Sequence, residues 1–158
     1  MKEDIDKRVR VIKEGEIGSG KPSWDEYLMF LALGASTRAS CHHVRGGVIV
    51  ADESMRIRGT GYNGASSMSV DSCLDIGCAK EAKGAEYRGS LNTGQCVGIH
   101  AEMNALGHLV HLEGKPISLY SSIFPCPSCA KNTGPYNVER VVFRSVYDHE
   151  EMTKAMDI

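Results

Sequence analysis

Two short motifs that lie far apart in the chain must meet at one point, and this requirement constrains the fold more than any other feature of the sequence. The motif His-Ala-Glu spans residues 100–102, and the motif Pro-Cys-Pro-Ser-Cys spans residues 125–129. Together they match the pattern H-x-E followed by P-C-x-x-C, in which one imidazole and two thiolates bind a single zinc ion. The sequence therefore predicts a zinc site built from His100, Cys126 and Cys129.

The spacing of these residues favours a catalytic zinc site. Cys126 and Cys129 are three positions apart, so at the start of a helix they share one face and reach the same ion. The helix N-terminus also lowers the pKa of a thiol, which favours the thiolate that binds metal. His100 provides a third ligand from another helix, and three protein ligands leave the fourth tetrahedral position open for water. Water bound there has a pKa of about 7, so hydroxide forms at neutral pH.

Glu102 is the predicted catalytic acid and base. It stands two residues after His100, so it does not share the coordination direction of the imidazole. A carboxylate beside the metal can take a proton from the bound water and deliver it to the substrate. The alternative is a closed structural site in which another cysteine is the fourth ligand. Such a site does not require Glu102, and the pairing of both motifs at helix starts favours the catalytic interpretation.

A helix is predicted to begin after Ser23, because Ser23 and Glu26 have the spacing of a capping box. Its apolar face is predicted from residues that recur at helical spacing, namely Trp24, Tyr27, Leu28, Leu31 and Ala35. A second helix is predicted over about residues 100–111. A third begins near Cys126 and ends before Pro135, which a helix interior does not tolerate. Asn137 is predicted to end that segment in the left-handed conformation.

Short runs of β-branched and apolar residues predict strands over residues 46–51, 55–60, 117–122 and 139–144. Val9 and Val11 alternate with charged residues and predict a short edge strand. Strands that alternate with helices indicate an α/β protein, here a three-layer α-β-α sandwich with a central mixed sheet of about five strands. Residues 1–22 are predicted to form an N-terminal arm. Residues 23–158 are predicted to form a single domain with a Cys-rich insertion at about residues 64–98.

The charge of the chain argues for a small substrate. The formal net charge is −2 and no dense block of Lys and Arg is present, whereas proteins that grip long nucleic acids usually have a basic face. No apolar run reaches the roughly 18 residues that a membrane span needs. The charged N-terminus lacks the apolar stretch of a signal peptide. We therefore expect a protein of the cytoplasm, either of a cell or of an infected host, with no membrane partner.

The chain resembles the deoxycytidylate (dCMP) deaminases of phages, bacteria and eukaryotes. The likeness extends from Trp24 to Phe143. The sequences that carry it are WDEYLMFLALGASTRASC, GVIV, TGYNG, HAEMNAL, LYSSIFPCPSCAK and ERVVF. HAE with PCxxC is typical of the zinc-dependent cytidine deaminase superfamily. GYNG, a long insertion and then HAExNAL are typical of the deoxycytidylate branch.

The resemblance implies the cytidine deaminase fold and the hydrolytic deamination of dCMP to dUMP and ammonia. It implies that Asn63 holds the sugar hydroxyl and that the backbone of Ala101 meets the base. It also implies a homohexamer that dCTP activates and dTTP inhibits, with a Mg²⁺ ion accompanying the triphosphate effector.

The remaining four cysteines, Cys41, Cys73, Cys78 and Cys96, predict a second, structural zinc ion. A loop-rich segment that cannot bury a core of its own needs such a cross-link, and some phage relatives resemble this chain in that respect. The alternative is a set of buried thiols that bind no metal, with His42 or His43 on the surface.

Three more residues are candidates for substrate binding, each with a plain alternative. Arg38 has the geometry to bind a phosphate, but a cation at a helix end is also favourable without a ligand. Tyr120 and Phe124 lie on the approach to the zinc cysteines and are candidates to line a base pocket, or else they are ordinary core aromatics.

Two other functions compete with the deamination of a free nucleotide. A deaminase of a base within tRNA predicts a more basic chain and no long insertion before the HAE motif. A non-catalytic zinc-stabilised nucleotide-binding module does not require Glu102.

Overall fold

The computed structural model describes residues 9–12, 20–66, 71–82, 96–109 and 114–146. Most of the predicted N-terminal arm, the centre of the Cys-rich insertion, residues 110–113 and the chain from residue 147 onward lie outside the described residues. The helix predicted over about residues 100–111 ends earlier than expected, at Gly107.

A five-stranded mixed sheet forms the centre of the fold. Its strands in chain order are β1 (Val9–Val11), β2 (Gly47–Asp52), β3 (Ile57–Tyr62), β6 (Ile117–Ile123) and β7 (Val138–Ser145). They lie side by side in the order β1-β7-β6-β2-β3. The pairs β1–β7 and β6–β7 are parallel, and the pairs that β2 makes with β3 and β6 are antiparallel. The strands β4 (Gly64–Ala65) and β5 (Gly98–Ile99) form a separate two-stranded sheet.

Five α-helices are present in the described part of the chain. They are α1 (Trp24–Ser36), α2 (Cys73–Ile76), α3 (Ala79–Ala82), α4 (Ala101–Gly107) and α5 (Pro127–Asn132), and a 3₁₀ turn over Gly134–Tyr136 follows α5. None of the helices in these segments combines the length and the hydropathy that crossing a bilayer requires. Asn137 ends the last turn at φ 51° in the left-handed region, as predicted, so that β7 can begin one residue later.

The sheet separates two cores, one on each face. Side chains of β2 alternate between them, because successive residues of a strand point to opposite faces. Ile49 and Ala51 pack with Leu28 and Met29 of α1, whereas Val48 and Val50 pack on the other face with the core of α4. Helices therefore cover both faces of a mixed sheet, and the prediction of a three-layer α-β-α sandwich is confirmed.

Helix α1 begins as predicted but presents a different face to the sheet. The hydroxyl of Ser23 accepts a hydrogen bond from the Glu26 amide at 3.3 Å, and the Glu26 carboxylate accepts one from the Ser23 amide at 2.5 Å. The buried residues are Asp25, Leu28, Met29 and Ala32. Trp24 and Tyr27, which were expected on the apolar face, are 58% and 43% exposed, so that part of the prediction is wrong.

The rotation of α1 follows from a buried ion network at Asp25. The guanidinium of Arg140 donates to both Asp25 oxygens, at 2.7 and 2.6 Å, and the Tyr120 hydroxyl donates to Oδ1 at 2.9 Å. Arg10 of β1 donates to the same carboxylate. A charge-assisted bidentate pair is strong enough to hold a carboxylate inside the protein, so Asp25 takes a position that an apolar side chain would otherwise occupy.

Glycines let the helices approach the sheet closely. A Cβ built at Gly61 would lie 2.3 Å from both the Ala101 carbonyl oxygen and the Ala105 amide nitrogen of α4. A Cβ at Gly47 would lie 2.1 Å from the Ala32 carbonyl oxygen of α1. Any larger residue at either position would displace a helix backbone. The close contact of α4 with β3 at Gly61 matters most for function, because α4 begins at the HAE motif.

Candidate metal centre

The two motifs meet at the beginnings of two helices. His100 is the N-cap of α4 and follows β5 directly. Cys126 is the N-cap of α5 and lies three residues after the end of β6. Its sulfur accepts a hydrogen bond from the Cys129 amide at 3.4 Å, which satisfies one of the free amides at the helix start. Pro127 at the first helical position has no amide to satisfy.

The imidazole and the two thiol groups form one compact cluster. Nδ1 of His100 lies 3.2 Å from Sγ of Cys129 and 3.5 Å from Sγ of Cys126. The three ligand atoms lie within 4.8 Å of one another. Two ligand atoms on a tetrahedral zinc ion stand about 3.5 Å apart, given the usual Zn–N and Zn–S lengths. The donor set and its spacing therefore fit a zinc ion.

The electrostatics of the cluster favour a metal-binding thiolate. The hydrogen bond from Cys129 and the neighbouring His100 lower the pKa of Cys126 to about 4, against the opposing effect of burial. The pKa of Cys129 rises, because its proton is held by Cys126 and because it is buried. Contact with Cys126 raises the pKa of His100, and burial opposes this rise. A metal ion would replace the shared protons of these groups.

Glu102 lies in the wall of the same cluster. It is 7% exposed, and burial raises the pKa of its carboxyl group. Its carboxyl group also makes a hydrogen bond with Cys129. A raised pKa brings a carboxyl group closer to the range in which a general acid and base is most effective.

Asn63 joins the loop before β2 to the strand end beside the cluster. Its Oδ1 accepts a hydrogen bond from the Gly46 amide at 2.6 Å, and its Nδ2 donates one to the Val44 carbonyl oxygen at 2.8 Å. A Cβ built at Gly46 would lie 3.7 Å from the Cβ of Ala101. The structure therefore places Asn63 and Ala101 on either side of Gly46. It also shows a loop-holding role of Asn63 that the sequence did not indicate.

A family model supports the same chemistry. The model of the cytidine and deoxycytidylate deaminase zinc-binding region matches residues 22–145. The chain belongs to this deaminase family. Zinc is accordingly the metal of its site, and the chain is a hydrolytic enzyme.

Named relatives agree with this membership. The chain is 33% identical to the deoxycytidylate deaminase of Mycobacterium phage D29 over 128 residues, which cover 78% of this chain and 95% of that protein. It is also 33% identical to the deoxycytidylate deaminase of Saccharomyces cerevisiae over 132 residues, but these cover only 40% of the yeast protein. A crystal structure of dCMP deaminase from cyanophage S-TIM5 in complex with dCMP and dUMP matches 88% of this chain and 91% of that chain, with a TM-score of 0.61 and 25% identity.

Tyr120 does not line a pocket at the deaminase centre, contrary to expectation. Its side chain is fully buried in the core beneath α1, and its hydroxyl binds Asp25. That core lies on the face of the sheet opposite Ala101 of α4. The alternation of side chains along β6 decides this outcome, because neighbouring residues of a strand point to opposite faces.

Phe124 and Arg38 each lie against an aromatic ring. Phe124 packs edge to face against Phe143 at 4.8 Å between ring centroids, directly before the Pro-Cys motif. Arg38 lies beyond the end of α1 with its guanidinium 6.0 Å from the ring centroid of Tyr62, one residue before Asn63. Both remain candidates for substrate binding.

The remaining cysteines of the deaminase lie near one another in a second cluster, and His43 and Glu81 lie beside Cys78. Cys73 is buried, and the thiols of Cys41, Cys96 and Cys78 raise its pKa, second only to burial itself. The ligand atoms that approach one another most closely belong to His43, Cys78 and Glu81, which lie within 4.8 Å of one another. His43 and Glu81 were not among the predicted ligands. The Cys78-x-x-Glu81 spacing on a helical segment was the available signal.

Proposed function

We propose that this deaminase converts dCMP and water to dUMP and ammonia. The observation that carries the proposal is the cluster of His100 Nδ1 with the sulfurs of Cys126 and Cys129 at 3.2–3.5 Å, beside a buried Glu102. The named relatives from a phage and from yeast are deoxycytidylate deaminases, and the cyanophage enzyme was crystallised with dCMP and dUMP. The net charge of −2 also favours a small nucleotide over a long nucleic acid.

Each residue of the site has its own role in the proposed reaction. His100, Cys126 and Cys129 would hold the zinc ion, which when bound supplies a Lewis acid that makes water nucleophilic at neutral pH. Glu102 accepts a proton from the attacking water and delivers it to N3 of the cytosine ring, while the oxygen adds to C4. Glu102 then carries the second proton of the water to the departing amino group, so the C4–N bond breaks and ammonia leaves. The backbone of Ala101 meets the base, and Asn63 holds the sugar as well as its loop.

The test is the release of ammonia from dCMP, CMP, dCTP, deoxycytidine and tRNA. We expect dCMP to be the best substrate and Glu102→Gln to lower kcat by about a thousandfold, because general acid–base catalysis typically contributes a factor of 10² to 10⁴. Zinc content should stay unchanged, since Glu102 is not a proposed ligand. Turnover of tRNA without turnover of dCMP would overturn the proposal, and so would full activity of Glu102→Gln.

We further propose that dCTP with Mg²⁺ activates the enzyme, that dTTP inhibits it, and that the chain forms a homohexamer. These proposals rest on the resemblance to deoxycytidylate deaminases. The aromatic side chains of Trp24, Tyr27 and Phe30, which are 43–62% exposed on α1, are consistent with burial in an assembly. Initial rates of dCMP turnover with each triphosphate and sedimentation of the protein test them. A monomer that responds to neither triphosphate would refute all three proposals.

A second, structural zinc ion is proposed at the cluster around Cys73 and Cys78. His43, Cys78 and Glu81 are the strongest candidate ligands, because their ligand atoms are already within 4.8 Å of one another. Cys41, Cys73 and Cys96 remain candidates for completing the site. We expect two zinc ions per chain in the wild type and one in Cys78→Ser, measured by elemental analysis. One ion in both proteins would argue for plain buried thiols.

We also propose that the enzyme works in a cytoplasm, of a cell or of an infected host, as a single deaminase domain over residues 23–158. All six cysteines are unpaired. Free thiols in this number are typical of a reducing compartment.

A further inference from the structure

Asn104 joins the helix of the HAE motif to the strand end that carries Asn63. It lies one turn after His100 in α4, and its backbone amide donates a hydrogen bond to the His100 carbonyl oxygen at 3.0 Å. Its side-chain Nδ2 donates another to the carbonyl oxygen of Tyr62, the last residue of β3, at 2.9 Å. One side chain of α4 therefore holds the backbone directly before Asn63.

The backbone directly after Asn63 is attached to the same part of the chain. Gly64 pairs with Ile99 in the two-stranded sheet, and Ile99 directly precedes His100. Asn63 thus lies between two attachments, one to the residue before the HAE motif and one, through Asn104, to the residue two positions after it. The position of Asn63 relative to the metal ligand His100 is set by this pair of contacts.

The side chain of Asn63 is held in turn by the loop before β2. Its Oδ1 accepts a hydrogen bond from the Gly46 amide, and its Nδ2 donates one to the Val44 carbonyl oxygen. A carboxamide has two donor hydrogens and two acceptor positions, so these contacts use half of its capacity. A hydroxyl group both donates and accepts a hydrogen bond, so it matches the other half.

We propose that Asn104 is a positioning residue for the sugar of the substrate: by holding the Tyr62 carbonyl, it fixes the Asn63 carboxamide at the separation from the metal centre that a nucleoside spans. The inference rests on the proposed function, in which Asn63 holds the sugar while the base meets Ala101. The base and the sugar of a nucleotide are joined covalently, so both ends are engaged together only when the two parts of the site stand at the right separation.

The alternative is a purely structural role, in which Asn104 satisfies the Tyr62 carbonyl and stabilises the end of β3. Loss of the donor would lower the Tm under either role, because an unsatisfied carbonyl is unfavourable. The two roles differ in their effect on substrates. Only the positioning role makes the loss depend on the presence of a sugar hydroxyl.

The experiment compares wild type with Asn104→Asp, Asn104→Leu, Asn63→Ala and the double variant Asn63→Ala/Asn104→Leu. Aspartate places an acceptor where the amide donor was, and leucine has a similar size without a donor or a charge, so together they separate the lost donor from the added charge. Asn132→Asp is the control, because it makes the same change at an exposed position at the end of α5.

The substrates are dCMP and 2′,3′-dideoxycytidylate (ddCMP), which lacks the 3′-hydroxyl, the free sugar hydroxyl of dCMP. For each protein we would measure kcat and KM with both substrates, the dissociation constant of dUMP, the zinc content and the Tm. The preference for dCMP over ddCMP is a ratio of kcat/KM values from one preparation, so it does not depend on the fraction of correctly folded protein.

We expect this preference to fall about tenfold in both Asn104 variants, as the loss of a hydrogen bond to a neutral hydroxyl implies. The loss should appear in the KM for dCMP, because the sugar contact is made in the ground state and in the transition state alike. The affinity for dUMP should weaken in parallel, while the zinc content stays at the wild-type level. In the Asn63→Ala background, Asn104→Leu should leave the preference unchanged, since the residue through which it acts is gone. Asn132→Asp should resemble wild type.

The inference is overturned if Asn104→Asp and Asn104→Leu slow both substrates by the same factor, because Asn104 would then act on the fold alone. It is also overturned if Asn104→Leu lowers the preference equally with and without Asn63, or if wild type does not distinguish dCMP from ddCMP. These results leave the deamination of dCMP intact. If wild type turns over no cytosine nucleotide, the proposed function itself fails.

Discussion

At the residue scale, Asp25 shows how a charged side chain comes to be part of the core. Burial by itself would raise the pKa of this carboxyl group, but hydrogen bonds from Arg140, Tyr120 and Arg10 outweigh it and lower the pKa to about 2. The partners come from β1, β6 and β7. One carboxylate on α1 therefore joins the helix to three strands of the sheet.

Replacement of Asp25 by Asn should destabilise the protein by about 2 kcal/mol at neutral pH, as the lowered pKa implies. Because the pKa is lower in the folded state, this stability is fully present above pH about 4, the ordinary Asp value, and is lost as the pH falls toward 2. Urea unfolding of wild type and Asp25→Asn over this pH range measures the difference in their free energies of unfolding. Zinc is released at acidic pH from both proteins, so the difference isolates Asp25.

The control for this prediction is Asp71→Asn, which removes an exposed carboxylate and should change the free energy of unfolding little at any pH. If the difference in free energy of unfolding between wild type and Asp25→Asn stays the same at pH 2, the ion network is not the cause of that difference.

At the scale of elements, the close packing of α4 on β3 determines the position of the metal ligands. Gly61 touches the backbone of α4 at Ala101 and Ala105, so the first turn of the helix rests directly on the strand. His100 and Glu102 flank Ala101. The geometry of the metal centre is thus set by contacts between backbones, which no side-chain rotation can relieve.

Gly61→Ala should therefore weaken both the fold and the metal site. The added methyl group overlaps helix backbone at 2.3 Å, and overpacking of this kind typically costs about 1–3 kcal/mol. We expect a lower Tm and weaker zinc binding in competition with a chelator. Gly107→Ala in α4 is the control, because a Cβ there meets nothing within 4 Å. Equal zinc affinities in the two variants would show that the contact of Gly61 with α4 does not position His100.

The elements whose signals are local could be predicted from the sequence, and those that depend on distant partners could not. The capping box at Ser23, the turn at Asn137 and the ligand pair Cys126 and Cys129 each depend on residues within a few positions of one another. The buried face of α1 was missed because Arg140, far along the chain, holds Asp25 inward. His43 and Cys78 likewise meet only through the tertiary fold.

At the scale of the whole molecule, the zinc ion would join the two parts of the chain that carry the reaction. His100 enters from one helix, and Cys126 and Cys129 enter from another that follows a different strand. A metal that binds only the folded state stabilises it, by about 3 kcal/mol when its concentration is a hundred times its dissociation constant.

Removal of zinc with a chelator at neutral pH should accordingly abolish activity and lower the Tm, and added zinc should restore both. The measurement is best made in Cys78→Ser, so that the proposed structural ion does not contribute to the change. An unaltered Tm after complete zinc removal from this variant would show that the catalytic cluster is stable without its metal.

The pairing of β1 with β7 has a consequence for folding during translation. Val9 aligns with Val141, and Arg10 shares Asp25 with Arg140, so strands from distant parts of the chain stand side by side. During translation the first strand has no neighbour, and the aspartate of the first helix lacks one of its two arginines, until nearly all of the described chain has emerged. The strand β1 therefore pairs only after β7 has been made, and until then its unpaired backbone groups can pair with other chains.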